Sequence, residues 1–255
     1  MCDNRHYISE APLSLNSVRR RVEAFLTTNG LRLAPLDRYV VVTRDEDGDE
    51  ILAGGGLDGN VIKCVAVSES ARSEGLMNIL VSRLIAIARE EGKSVKAFTK
   101  PENEGIFKSL GFALLASSPK AILMENGSGG LPEYRKYLES LARPGRNGVI
   151  VMNANPFTKG HRYLVEQAAS LVDNLYVIVV REDRSRFPYA ERKAMIEAGC
   201  AGLDNVVVCE GSDYAISAAT FPTYFLKKLD DATDTQIALD LDLFVNHIAK
   251  PLGVT

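Results

Sequence analysis

The sequence predicts an α/β chain in two parts: a mixed sheet rich in hairpins, then a parallel sheet built from βαβ units. Three observations predict it. Between Tyr39 and Glu125, short apolar runs are separated by turn residues and interrupted by one long amphipathic helix pattern. From residue 148 onward, apolar runs alternate with helix-spaced segments, the pattern of parallel strands joined by crossover helices. Between the two lies Asn126-Gly127-Ser128-Gly129-Gly130, whose glycines and polar side chains make a flexible joint. The expected divisions are residues 1–126, a linker and bridging helix over 127–146, and 147–255.

The elements follow in order. Leu13 to Asn29 has helical spacing, with Val18, Val22, Phe25 and Leu26 on one face and Arg19, Arg20 and Arg21 in solvent. Strands are expected at Tyr39 to Arg44, Glu50 to Gly55 and Val61 to Val67, with a hairpin turn at Asp45 to Asp49 around Gly48. A helix from Gly75 to about Glu91 places Leu76, Ile79, Leu80, Leu84, Ile87 and Ala88 on one stripe, and Gly92 stops it. Val95 to Thr99 is a strand, Glu104 to Leu110 a short helix, and Phe112 to Ser117 and Ala121 to Glu125 two more strands. Leu131 to Ala142 forms the bridging helix, broken by Arg143-Pro144-Gly145. In the second part, strands are expected at 148–152, 175–180, 205–209 and 235–241, and helices at 160–172, 190–201, 221–229 and 242–250. Asn174, Gly202 and Asp230 punctuate them. This is a Rossmann-like order, in which ligands bind at the carboxyl ends of the strands.

Composition bounds the function. The 255 residues are 46% hydrophobic and 25% charged, enough to bury a core without a disulfide or metal. The formal net charge of −3 provides no basic excess for a phosphate backbone, so no nucleic-acid partner is expected. There is no run of eighteen apolar residues and the first residues are polar, so neither a membrane partner nor a signal segment is expected. Cys2, Cys64, Cys200 and Cys209 form no C-x-x-C pair and have no His at ligand spacing, so no metal site is expected. Cys64 and Cys209 lie in apolar runs and read as buried small residues; free thiols fit a reducing, cytoplasmic setting.

The chemistry concentrates in one stretch. Val149-Ile150-Val151-Met152 runs into Asn153-Ala154-Asn155-Pro156-Phe157-Thr158-Lys159-Gly160-His161, and a helix pattern starts near Arg162. A strand, a polar turn and a helix start in that order aim backbone N–H groups and the positive helix end at one point, which suits a phosphate. Lys159 adds a cation, and His161 a donor that can follow charge developing on a leaving phosphate. By spacing alone, Asn-Pro is a turn, with Lys159 and His161 as solvated helix-start residues; the strand before and the helix after favour the chemical role.

Thr158-Lys159-Gly160-His161 resembles the T/H-x-G-H signature of nucleotidylyltransferases. That resemblance implies that His161 is the principal phosphate contact and that Gly160 permits close approach. It implies that Thr158 stands where a first His often does. Three longer segments, residues 149–164, 182–192 and 219–226, resemble the [citrate (pro-3S)-lyase] ligase family, whose two-part layout also fits the whole chain. The resemblance implies that ATP, acetate and the thiol form of citrate lyase give AMP, pyrophosphate and the acetylated lyase, with Mg²⁺ bridging the phosphates. The implied partner is the acyl carrier subunit of citrate lyase, whose dephospho-CoA-derived arm carries the thiol. His161, Lys159 and Thr158 are then the catalytic candidates, with Asn153, Asn155, Phe157, Gly160, Arg181 and Arg186 at the nucleotide. Arg184 and Arg192 also cluster after the second strand; each of these arginines is either a phosphate contact or a solvated charge.

In the first part, Val65-Ala66-Val67 followed by Arg72-Ser73-Glu74-Gly75-Leu76 resembles the acetyl-CoA pyrophosphate loop of GNAT acetyltransferases. Met77 replaces the final small residue of that R-x-x-G-x-G/A pattern. Phe107-Lys108-Ser109-Leu110-Gly111-Phe112 resembles the later F-x-x-L-G-F segment. The fold expected is therefore a GNAT-like mixed α/β domain followed by a Rossmann-like nucleotidylyltransferase domain. Arg72, Ser73, Gly75 and Leu76 become candidates to hold a CoA-like arm. A second phosphate-binding motif of nucleotidylyltransferases is not matched: Ile216-Ser217-Ala218-Ala219-Thr220 comes early, has no Arg after it, and reads as a helix start. The resemblance thus implies a sheet continuing past Thr255, and an unfinished one would leave an exposed edge. Asp240-Leu241-Asp242 is either a carboxylate pair on one strand face or a strand-to-helix cap, and His247 falls on a helix. Two other functions remain open: an acetyl-CoA-dependent N-acetyltransferase with a nucleotide-sensing second half, and a shortened, inactive binding module.

Overall fold

The computed structural model describes residues 6–46, 48, 50–90, 92, 94–127, 130–181, 186–212, 214 and 229–254. They divide into two compact units, one within Met1–Ser128 and Ala218–Leu239, the other within Gly129–Ser217 and Asp240–Thr255. The first unit holds strands β1 (Tyr7–Glu10), β2 (Arg38–Thr43), β3 (Ile51–Asp58), β4 (Val61–Val67), β5 (Val95–Thr99), β6 (Phe112–Ser117) and β7 (Ile122–Asn126). Its helices are α1 (Asn16–Thr28), α2 (Leu76–Arg89) and the short α3 (Glu104–Ser109). The seven strands form one sheet in the order β1-β2-β3-β4-β5-β7-β6. Every pairing is antiparallel except that of β4 with β5. This is the mixed, hairpin-rich sheet that the sequence predicts. β1 is the exception: all four of its residues are exposed, so it carries no apolar alternation to detect. Its pairing with β2 and the two Arg38–Glu10 hydrogen bonds, 2.7 and 3.1 Å, hold it.

The continuous apolar run in β2 has a physical reason. Val40 and Val42 point into a core formed with α2 through Leu76, Leu80 and Leu84. Tyr39 and Val41 point to the opposite face, under Val22 and Leu26 of α1. A strand covered on both faces has no polar side to show. Between these layers β3 runs through Gly54-Gly55-Gly56. A Cβ at Gly54 would lie 2.5 Å from Tyr39 Oη, and one at Gly56 would lie 2.7 Å from the Arg38 carbonyl oxygen.

The second unit contains β8 (Asn147–Met152), β9 (Asn174–Val179) and β10 (Val206–Cys209), parallel and in the order β10-β9-β8. Helices α4 (Leu131–Leu141), α5 (Lys159–Ala169) and α6 (Tyr189–Gly199) belong to it. Its core joins Met152 and Ala154 to Val165, Val177, Val179, Ile196 and Cys200. Two buried amides register the strand starts: Asn147 Nδ2 donates to the Leu252 carbonyl at 2.8 Å, and Asn174 Nδ2 donates to Asn147 Oδ1 at 2.9 Å. Cys64 and Cys209 are buried, as expected, and burial pushes both thiols up.

One expected element is wrong. Residues 235–241, predicted as a strand, lie inside α7 (Leu229–Phe244), which passes into a single π turn at Val245–Ala249. Ile237, Leu239 and Leu241 imitate strand alternation. The buried positions are Thr235, Leu239 and Leu243, four residues apart, while Ile237 and Leu241 are exposed. Asp240 and Asp242 therefore do not share a face, and Asp242 Oδ1 accepts from Asn246 Nδ2 at 2.8 Å. The carboxylate pair expected on a strand face does not form. The segment 216–220 and nearly all of the helix expected at 221–229 lie outside the described residues.

The close approach at Gly56 gives a test. Gly56→Ala presses a methyl against the Arg38 main chain, which cannot rotate away as a side chain can. Equilibrium urea unfolding should show a loss of about 1–3 kcal/mol.

Candidate functional site

β8 ends at Met152, and the chain turns sharply over Asn153 to Phe157 before α5 begins. Ala154 is buried and sits at φ +45°, a left-handed conformation unusual for a residue with a Cβ, and the Asn155–Pro156 peptide is cis. The turn stands at the carboxyl end of the parallel sheet, the position the alternation of strands and helices predicts.

Thr158 is the N-cap of α5, and His161 completes a reciprocal capping box. The Thr158 backbone N–H donates to His161 Nδ1 at 3.0 Å, and Thr158 Oγ1 lies 2.8 Å from the same nitrogen. A backbone N–H can only donate, so Nδ1 accepts and the neutral ring carries its proton on Nε2. Thr158 thus sets the tautomer of His161, and no described residue takes the Nε2 proton. The His161 ring stacks on Phe157, with centroids 5.6 Å apart and planes 27° from parallel. Lys159 is exposed and pairs with no acid among the described residues, and the first turn of α5 contains no acidic side chain. Gly160 is exposed with an ordinary φ, and a Cβ there would meet only Thr158 Oγ1, at 3.7 Å. The protein's own packing does not require glycine at 160. The arrangement offers an anion the first amides of a helix, a neutral imidazole N–H and an uncommitted ammonium.

Behind the turn, Arg192 is fully buried at the first turn of α6. Its Nη1 donates to the Asn153 carbonyl (2.9 Å), Asn153 Oδ1 (2.8 Å) and the Val180 carbonyl (2.9 Å), and Nε donates to the Phe187 carbonyl (3.1 Å). Asn155 Oδ1 accepts from the Phe187 N–H at 3.0 Å. Both asparagine side-chain oxygens are thus committed to protein groups: Asn153 to Arg192, which also reaches the end of β9, and Asn155 to the loop at Phe187. Arg192 is neither of the two things expected of it, a solvated charge or a phosphate contact: it is an internal tie. Nothing in the spacing distinguishes it from its neighbours; only burial does. Arg181 and Arg186 are exposed, over the rings of Tyr189 (5.2 Å) and Phe187 (5.7 Å), so both cations stay at the rim. Arg184 lies outside the described residues.

The end of β10 carries a cluster that no sequence motif marks. Glu210 pairs with Lys193 at 2.6 Å and accepts from Tyr189 Oη at 2.8 Å, while its N–H donates to Tyr137 Oη at 2.9 Å. Tyr134 Oη donates to the Glu210 carbonyl, which docks α4 beneath the same strand end. Lys193, and then Tyr189, hold the Glu210 carboxyl below its ordinary range. Tyr134 is pushed up by burial. Tyrosines spread over α4 and α6 give no local signal in sequence.

Arg72, Ser73, Gly75 and Leu76 belong to the first unit, and the turn belongs to the second. β4 is irregular at Cys64, where φ is +55° and the register against β3 shifts. Beyond Ile62 it no longer pairs with β5. A cavity of about 550 Å³ opens there, lined by Val65 and Val67 of β4, Phe98 and Thr99 of β5, and Arg72 and Gly75 of the loop. Gly75 adopts φ +71° at the start of α2, and a Cβ placed on it would have nothing within 4 Å, so backbone conformation, not space, asks for glycine. Arg72 is exposed, 4.0 Å from Glu69. Ser73 is exposed, and the Leu76 side chain is buried in the α2 core and anchors the loop.

Residues 147–255 match the citrate lyase ligase C-terminal domain. The [citrate [pro-3S]-lyase] ligase of Escherichia coli K12 is 42% identical over 246 residues, covering 95% of this chain and 69% of that protein. A phosphopantetheine adenylyltransferase from Streptococcus suis is 29% identical over 110 residues, 41% of this chain and 68% of its own. Among solved structures, Escherichia coli ElaA is 18% identical, covers 48% of this chain and all of its own, and has a TM-score of 0.40. Among the described residues no helix is long and apolar enough to cross a membrane.

Removing the internal tie should be costly. Arg192→Met leaves the part-buried carbonyl oxygens of Asn153, Val180 and Phe187 without this donor, at up to about 1–3 kcal/mol for each group not rescued by water. Chemical denaturation should register that loss, with Arg192→Lys recovering only part of it because an ammonium cannot reproduce the guanidinium's planar fork.

Proposed function

The chain belongs to the [citrate (pro-3S)-lyase] ligase family, and on that premise we propose that it joins acetate to the prosthetic-group thiol of citrate lyase at the expense of ATP. An acetate oxygen bonds to the α-phosphorus of ATP as the bond to the bridging oxygen breaks, and pyrophosphate leaves with the electron pair. The thiolate of the lyase arm then attacks the acyl carbon of acetyl-adenylate. AMP departs, a thioester remains, and the thiol proton passes to solvent.

The observation that carries this proposal is the reciprocal Thr158–His161 cap at the carboxyl end of β8. Neither step needs a protein nucleophile. The first needs the triphosphate positioned and charge offset as it moves onto the leaving pyrophosphate. Lys159 and the Nε2–H of His161 supply that, Thr158 orients the imidazole, and Gly160 leaves room for the phosphates over the helix start. Mg²⁺ enters with ATP as part of the substrate. Asn153 and Asn155 shape the turn, Phe157 supports the ring of His161, and Arg181 and Arg186 at the rim are suited to the distal phosphates. Residues 147–255 carry this half of the reaction, and 127–146 join it to residues 1–126.

For the other half we assign the thiol arm to the first unit. The cavity between β4 and β5 and the Arg72–Leu76 loop suit an extended CoA-like chain ending in a pyrophosphate. The partner is then the acyl carrier subunit of citrate lyase. Free thiols at Cys64, Cys200 and Cys209 suit a reducing cytoplasm.

Acetate-dependent exchange of labelled pyrophosphate into ATP tests the first step. His161→Ala should lower the exchange rate by about 10²–10³-fold, and exchange at the wild-type rate in that variant overturns the assignment. Gly160→Ala separates chemistry from folding. Alanine is the better helix former by about 1 kcal/mol, so the melting temperature should hold or rise while the KM for ATP climbs. For the arm, Gly75→Glu should raise the KM for the acyl carrier subunit with pyrophosphate exchange untouched; an unchanged KM removes the first unit from the reaction.

A further inference from the structure

The last residue of α6 is a glycine that the local conformation does not demand. Gly199 is helical, with no positive φ, and glycine is a poorer helix residue than any but proline. Its neighbour explains it. An ideal Cβ on Gly199 would fall 2.3 Å from Cε1 and 2.6 Å from Cδ1 of Phe157, inside any real carbon–carbon contact. The edge of the Phe157 ring therefore occupies the space where a side chain on Gly199 would be. The same ring stacks on His161 at 5.6 Å.

A second contact fixes the same spot. Arg162, the residue after His161, donates from Nη1 to the carbonyls of Gly199 (2.6 Å) and Ala201 (3.0 Å). A guanidinium on the carbonyl of the last residue of a helix is favourable for the α6 dipole. It also ties the first turn of α5 to the last turn of α6. The Arg162 tie opposes a rigid shift of α5, and the Phe157 ring sits in the gap at Gly199.

We infer that Gly199 is a positioning residue for the phosphate site: the gap it leaves seats Phe157, and Phe157 sets the plane of the His161 imidazole. The inference rests on the assignment of His161 to the ATP phosphates. Gly199 touches no substrate and acts through two rings. Thr158 fixes which nitrogen carries the proton, and Gly199 fixes where that N–H points.

The test is Gly199→Ala, read by two independent measurements. The chain has three histidines, His6, His161 and His247, so the ¹⁵N and ring-proton signals of His161 can be followed separately. The Gly199→Ala change should move the His161 signals while those of His6 and His247 stay. It should also lower kcat for pyrophosphate exchange by about ten- to a hundredfold, the scale of an ångström-size misplacement, with a smaller effect on the KM for ATP. Phe157→Leu, which removes the stacked ring and keeps Gly199, should move the same signals and serves if Gly199→Ala fails to fold. The double variant Gly199→Ala, Phe157→Leu should be no worse in kcat than Phe157→Leu alone. His161 signals unmoved in both single variants, or single-variant losses that multiply in the double, overturn the inference. A shift of the His161 signals in a protein whose wild type shows no exchange supports the positioning role and overturns the phosphate assignment instead.

Discussion

A buried guanidinium underlies the site. Arg192 reaches from the start of α6 to the first residue of the turn after β8, to the end of β9 and to the loop at Phe187. Parallel strands leave their terminal carbonyls pointing at the ligand face, and buried carbonyls must find donors. One planar, five-donor side chain satisfies several at once and makes their spacing rigid. The turn from Asn153 to Phe157, with Ala154 in a left-handed conformation, persists because this tie and the Asn155–Phe187 bond over-determine it.

On that base the site separates orientation from contact. Thr158 commits its N–H to Nδ1 of His161, which leaves Nε2–H as the group presented outward. Phe157 supports the ring and Arg162 ties the helix start to the end of α6. Lys159 and Gly160 contribute charge and space. Such a division suits chemistry in which the substrates bring their own nucleophile and leaving group. In the proposed reaction the protein then has to hold the triphosphate and balance its charge. The first unit repeats the theme with different parts. A bulge at Cys64 parts β4 from β5, and a left-handed Gly75 opens α2 toward the resulting cavity. Each unit thus sets a helix start beside the end of a strand, and each uses one non-standard backbone position to do so.

The sequence by itself determined the class of fold, the order of nearly every element, and the strand, polar turn and helix start over 149–162. These are legible because they are local: apolar periodicity, turn residues and the strand–turn–helix order are properties of neighbours along the chain. It could not decide three things. The run 235–241 alternates like a strand, and only burial at Thr235, Leu239 and Leu243 shows the helix. β1 has no apolar face and exists because β2 has an edge to pair. Arg192 is in sequence one of several arginines after the second strand, and Gly199 and Glu210 fall in no motif. Tertiary structure alone makes them an internal tie, a seat for a ring and the centre of a tyrosine cluster, because each is defined by partners far along the chain. Periodicity is written into neighbouring residues; a site is made by packing between residues that are not neighbours.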